Sequence, residues 1–255
     1  MKRSDVLLSV REVSKHFGGL WALRSVSLAV PRGEIRGLIG PNGAGKTTLL
    51  NVATGMTPPT TGIVEIDGQA VTRRRPHEVA TLGIARTFQH TALFGGMTAL
   101  ENVLVGLHRR VKWPLGRSGR TFLSEERARD EAQALLQRFG LKGAADQEVR
   151  KLSIAAQKRL ELVRAVALRP TLLFLDEPAA GLSSTEISDL IAVLRSLRDD
   201  DGVTIVIVEH IMDLIMEVCD QLTVLSVGEV LAEGSPADIR SNASVIEAYL
   251  GTQSA

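Results

Sequence analysis

The stretch Gly40-Pro41-Asn42-Gly43-Ala44-Gly45-Lys46-Thr47-Thr48 sets two glycines five positions apart, directly ahead of a lysine and two hydroxyl residues. This is the phosphate-loop pattern, Gly-x4-Gly-Lys-Thr. Glycine lets backbone N–H groups turn inward and approach phosphate oxygens with no Cβ in the way. A helix starting at the loop adds the partial positive charge of its N-terminus. Lys46 then neutralises the β- and γ-phosphates of a nucleotide such as ATP, and the Thr47 hydroxyl can ligate Mg²⁺. The whole segment from Gly40 to Thr48 is the candidate nucleotide-binding element.

A second constellation lies far along the chain. Leu172-Leu173-Phe174-Leu175-Asp176-Glu177 is an apolar run ending in two adjacent carboxylates. At the carboxyl end of a buried parallel strand, where ligands gather, Asp176 can hold Mg²⁺ directly or through water. Glu177 can accept a proton from an attacking water.

The elements that must position these groups follow from periodicity. Val6 to Val13 and Ala22 to Val30 read as strands, and Glu34 to Ile39 as an apolar strand running into the loop. Lys46 to Thr54 reads as a helix, and Ile63 to Ile66 as a strand between Thr60-Thr61-Gly62 and Asp67-Gly68. An antiparallel sheet therefore stands beside a strand–loop–helix unit. From about residue 89 to 151 the spacing turns helical, over Thr98 to His108 and Ser124 to Phe139, which predicts a helical insertion. Beyond it strands and helices alternate: a helix through Ala167, a strand to Leu175, a helix from Ser184 to Arg198 and a strand from Val203 to Val208. A helix around Ile211 to Val218 and strands Leu222 to Val227 and Val230 to Glu233 complete the series. Such alternation implies an α/β fold with a mainly parallel core sheet covered on both faces. The expected organisation is a nucleotide-binding core with an antiparallel β subdomain over residues 1–88, a helical subdomain over 89–165, and the rest of the core over 166–255.

Composition removes several function classes. The 255 residues carry a formal net charge of +1, so no overall field draws the chain to nucleic acid. Aromatic residues make up 4%, too few for a base-stacking platform. Cys219 is the single cysteine, which forbids an internal disulfide and suits a reducing compartment. No apolar run reaches the roughly 18 residues of a membrane span, and the first ten residues do not make a signal peptide. Any membrane role is expected to pass through a partner.

The order of these motifs resembles the ATP-binding-cassette (ABC) family over the whole chain. By that resemblance Phe17 is the aromatic that stacks on adenine. Gln89, in Thr87-Phe88-Gln89, is the glutamine that touches Mg²⁺ and the lytic water. Ala180-Gly181-Leu182-Ser183 occupies the place of the family's D-loop, and His210 that of the histidine contacting the γ-phosphate. Ser153 is the serine of the signature segment that covers the nucleotide of an opposite subunit. Phe17-Gly18-Gly19, Arg86-Thr87-Phe88-Gln89-His90, Asp176 to Leu182 and Val245 to Gly251 are similar to the ATPases of branched-chain amino-acid importers. The resemblance implies a homodimer, or a heterodimer with a related ATPase. It also implies two membrane-spanning permeases, a solute-binding protein, and a place on the cytoplasmic face of the membrane. Relatives of that group handle other amino acids, amides, urea or aromatic acids.

One segment departs from the family. Where the signature reads Leu-Ser-Gly-Gly-Gln, this chain has Leu152-Ser153-Ile154-Ala155-Ala156. Ser153 can still donate its hydroxyl, and the helix start still presents N–H groups. Close approach at the second glycine and a side-chain amide are lost. Two outcomes stay open: a working site with weaker closure, or a degenerate, mainly regulatory subunit paired with a more active ATPase.

The charged stretches are read as solvated. Arg73-Arg74-Arg75 ahead of Pro76, the basic run from His108 to Arg120 and Asp199-Asp200-Asp201 are expected to be surface turns and loops.

Overall fold

A computed structural model describes residues 5–88, 92–108 and 124–250. The chain opens with β1 (Val6–Phe17) and β2 (Leu20–Pro31), followed by β3 (Ile35–Ile39), α1 (Lys46–Ala53), β4 (Thr61–Ile66) and β5 (Gln69–Ala70). Next come α2 (Pro76–Ala80), β6 (Ile84–Arg86), α3 (Ala99–Leu107), α4 (Glu125–Arg138) and α5 (Ile154–Val166). The last part holds β7 (Leu172–Asp176), α6 (Ser184–Asp199), β8 (Thr204–Val208), α7 (Met212–Val218), β9 (Gln221–Ser226), β10 (Glu229–Gly234), α8 (Pro236–Ser241) and α9 (Ala243–Leu250).

The strands form two sheets. One is antiparallel, in the order β2-β1-β4-β5; the other runs β10-β9-β3-β8-β7-β6. In the second, β6, β7, β8, β3 and β9 pair in parallel and only β10 is antiparallel. Every residue of β3, β7 and β8 is buried, as a strand covered on both faces requires.

Alternation along those strands sorts the core into two layers. Leu173, Leu175, Ile205 and Ile207 join the helical side, with Leu160, Val163, Leu194 and Leu214. Leu172, Phe174, Val206 and Val208 face the other way, against Leu49 and Leu50 of α1 and Val10, Val26 and Val64 of the antiparallel sheet. The phosphate-loop helix is thus clamped between the sheets. On the helical side, α3, α4, α5, α6 and α8 each begin at a serine or threonine whose Oγ accepts the N–H three residues on. Such a cap is worth about 1 kcal/mol.

Several elements differ from the periodicity reading. β1 continues past Val13 to Phe17 because Glu12, at φ 49°, makes a bulge that shifts the alternation. Ser25, also at φ 49°, marks an irregularity on β2, which starts at Leu20. β6 has three residues and α2 five, too few to show a period. α8 is not among the elements the periodicity predicts, and α9 falls in the tail whose family-like sequence begins at Val245. No described helix is long and apolar enough to cross a membrane. Arg73 and Arg75 are exposed, Asp201 pairs with Arg138 at 2.7 Å, and residues 109–120 of the basic run lie outside the described residues.

Candidate functional site

The loop leaves β3 at Gly40 and enters α1 at Lys46, and its conformation requires glycine at both ends. Gly40 has φ +144°, and a Cβ there would lie 2.1 Å from the Leu225 carbonyl oxygen. Gly45 has φ +103°, and its Cβ would lie 2.5 Å from the oxygen of Ala22. The backbone is pinned further where the Gly228 N–H donates to the Ala44 oxygen at 3.1 Å. No side chain caps α1, so its first N–H groups are left to a ligand. Pro41 and Thr48 are partly buried, while Asn42, Gly43 and Thr47 are exposed along the rim.

Lys46 folds back on the loop, with Nζ donating to the oxygens of Gly40 at 2.7 Å and Pro41 at 3.0 Å. Burial pulls its ammonium below the usual lysine range, and the charges of Glu177 and Asp176 oppose that shift. The structure therefore brings together a lysine and two carboxylates that are 130 residues apart in sequence or more.

Asp176 ends β7 almost fully buried. Its Oδ2 accepts from Arg86 Nη2 at 3.0 Å, and Oδ1 has no hydrogen-bond partner among the described residues. A buried carboxylate oxygen without a donor is costly unless a cation or its water completes it. Asp176 offers a single carboxylate, with no cluster of three or more His, Cys, Asp or Glu among the described residues. That suits Mg²⁺, which keeps waters and phosphate oxygens as its main ligands.

Glu177 follows in a left-handed conformation, φ 51°, that a non-glycine residue adopts at a cost of roughly 1–3 kcal/mol. Its N–H donates to the Val208 oxygen at 2.9 Å, and its own oxygen accepts from Ala180 N at 3.3 Å and Lys158 Nζ at 3.5 Å. The backbone turns sharply there, which separates the direction of Glu177 from that of Asp176.

His210 lies two residues past β8, its side chain 63% exposed, with Nδ1 3.8 Å from Glu209 Oε2. Phe17 is 52% exposed at the tip of the β1–β2 hairpin, beneath Lys15 Nζ at 4.9 Å. The hairpin is tied to the loop because Ala22 abuts both Gly45 and Gly228. Ser153 sits on a different element, at the head of α5, where its Oγ accepts from Ala156 N at 3.2 Å. Gln89 lies outside the described residues.

The chain on either side of Gln89 is nevertheless well placed. Glu161 on α5, 3% exposed, accepts the Phe88 N–H at 3.1 Å and is also bonded by the Ala92 backbone. Burial raises its carboxyl above the usual range. Arg164, one turn along, donates from Nη1 to the Ala92 oxygen at 2.6 Å. α5 thus grips both flanks of the segment.

Sequence reasoning did not assign roles to Arg86, Glu161, Glu209 or Tyr249. Arg86 donates to Asn51 Oδ1 at 2.7 Å and Thr54 Oγ1 at 3.1 Å, joining α1 to Asp176. Tyr249 of α9 is half-buried and hydrogen-bonded to the Gly40 backbone. The available signal was a charged residue inside or directly after an apolar strand, as at Arg86 and Glu209. Cys219 is buried as expected, and burial pushes its thiol up.

Comparison with known proteins extends this geometry. Residues 23–180 match the family model described as "ABC transporter", and residues 229–255 match "Branched-chain amino acid ATP-binding cassette transporter". The chain is 40% identical over 257 residues to the high-affinity branched-chain amino acid transport ATP-binding protein BraF of Pseudomonas aeruginosa, covering 97% of this chain and 99% of that protein. It is 41% identical over 252 residues to LivG of Escherichia coli K12, with the same coverage, 97% and 99%. Among solved structures it is similar to an ABC transporter cassette in its ADP conformation, with TM-score 0.85, 32% identity and coverage of 97% and 100%. A nucleotide-free cassette gives TM-score 0.84 at 31% identity, covering 96% and 98%. Agreement in sequence and in fold runs through nearly the whole chain, so it takes in the helical layer and the tail as well as the phosphate loop. The chain belongs to the ABC transporter family, as an ATP-binding cassette and an ATPase.

Proposed function

We propose that this chain is the ATP-hydrolysing subunit of an importer for branched-chain amino acids or related solutes. The observation that carries the solute class is the tail, residues 229–255, which matches a model particular to branched-chain amino-acid cassettes. Two membrane-spanning permeases receive the solute from a solute-binding protein, and the chain works against them from the cytoplasmic face. A second cassette, identical or related, completes each site.

Mg²⁺, when bound, would draw charge from the β- and γ-phosphate oxygens. Thr47, Asp176 and Gln89 are the residues to hold it. The remaining steps belong to the chain. Phe17 stacks on the adenine, and the backbone from Gly40 to Thr48 wraps the phosphates. Lys46 exchanges its two loop carbonyls for phosphate oxygens. Glu177 orients the attacking water and takes its proton, while His210 and Lys46 stabilise charge on the γ-phosphate. The segment at Ser153 of the second chain closes the site, and closure and reopening shift the permeases between states.

Affinity purification of the tagged chain from its own membranes tests the class. Two permeases are expected to co-purify, and vesicles holding the assembly should take up leucine with ATP and solute-binding protein. Permeases that take up a sugar or a metal instead would overturn the solute class.

The altered signature favours a second reading, in which this chain contributes weakly to its partner's site. Ala155→Gly with Ala156→Gln is expected to raise turnover of the assembled transporter about two- to tenfold, the worth of one recovered hydrogen bond. An unchanged rate, measured as phosphate release, would remove any catalytic cost of these alanines.

A further inference from the structure

We propose that Glu209 is a positioning residue for ATP hydrolysis, a single buried carboxylate that holds the loop carrying Glu177 and the loop carrying His210 in fixed relation. The inference rests on the roles proposed above for those two residues. Glu209 follows directly on β8 and is 1% exposed. Removing a carboxylate from water is expensive unless donors converge on it. Here backbone N–H groups do so from two directions. Oε1 accepts from Ala179 at 2.7 Å, two residues past Glu177. Oε2 accepts from His210 at 3.0 Å and from Ile211 at 3.3 Å.

The placement explains why a side chain is needed. Strands β7 and β8 pair as far as Asp176 opposite Val208, and the Glu177 N–H to Val208 oxygen is the last bond between their backbones there. Beyond that rung the chains part into separate loops, each carrying one group that must meet the γ-phosphate. Glu209 spans the gap one step past the ladder. Both of its oxygens are acceptors and every facing group is a donor. Glutamine has one acceptor oxygen and an NH₂, so one loop would meet a donor with a donor.

The test compares Glu209→Gln and Glu177→Gln with the unaltered full-length chain. For Glu209→Gln, kcat is expected to fall about tenfold to a hundredfold, as for a catalytic group displaced by about 1 Å. Its Kd for a fluorescent ATP analogue with Mg²⁺ should stay within about twofold, because the phosphate loop is untouched. Amide hydrogen exchange should show protection lost at His210 and Ile211 or at Ala179, and kept at Phe174 and Ile207. A kcat within about twofold of the parent overturns the proposal, as does a loss of kcat matched by a rise in Kd and by exchange throughout β7 and β8. If Glu209→Gln fails to fold, exchange in the unaltered chain decides. Strong protection of the His210 and Ile211 amides supports the tie, and exchange at the rate of an open loop overturns it. Rapid hydrolysis by Glu177→Gln would instead sink the catalytic reading and leave the exchange result standing.

Discussion

Glu177→Gln is expected to bind MgATP at least as tightly as the parent while kcat falls about a hundredfold to ten-thousandfold, the range for a lost general base. The substitution keeps the shape of the side chain and removes its charge and basicity. The fold of the loop should be kept, because the bonds of residue 177 to Val208, Ala180 and Lys158 are made by its main-chain N–H and oxygen, which the substitution leaves in place. Binding has a reason to tighten. Glu177 lies close enough to Lys46 to raise its proton affinity, so the same carboxylate repels an arriving polyphosphate. Bound ATP that is not hydrolysed should also hold two cassettes together, visible as a dimer in light scattering. Single-turnover phosphate release and nucleotide titration check both halves. Hydrolysis near the parent rate would show that another group activates the water.

The second large effect is on stability. Arg86→Met should lower the stability of the nucleotide-free chain by about 3–5 kcal/mol, the cost of breaking a buried ion pair by removing one partner. Arg86 and Asp176 have side chains only 7% and 2% exposed and meet at 3.0 Å. Asn51 and Thr54 lose a donor in the same step. For a chain of this size the melting temperature should fall by roughly 2–4 °C for each kcal/mol. Asp176→Asn added to Arg86→Met removes the stranded charge and should restore part of the loss. A single variant melting within about 1 °C of the parent would mean that Asp176 is satisfied some other way.

Much of the fold was legible. Mostly apolar runs at Ile35–Ile39, broken only by Arg36, at Leu172–Leu175 and at Ile205–Val208 lie in buried parallel strands, and helical spacing located α3, α4 and α6. What escaped was short or irregular. β6 joins the sheet edge with three residues, and the bulge at Glu12 broke the alternation that would have carried β1 to Phe17. The candidate site divides the same way. Gly40 to Thr48 is contiguous, so its composition and spacing mark it without any fold. Asp176 and Glu177 stand out because acids rarely close so apolar a strand. Phe17, Gln89, His210 and Ser153 have no such local mark and came from the order of a family's motifs.

The sequence by itself determined the layers and the phosphate loop, since burial period and glycine spacing are local properties of the chain. Only the tertiary structure decided which polar groups meet. Arg86 and Asp176 are 90 positions apart, and Ala179 and Glu209 are 30 apart. Periodicity reports that a face is buried; it does not say which neighbour lies across it. That depends on the register of β6, β7 and β8, set by the packing of both faces of the sheet at once. Even the phosphate loop is completed this way, because the carbonyls of Ala22 and Leu225 that demand glycine at its two ends come from other strands.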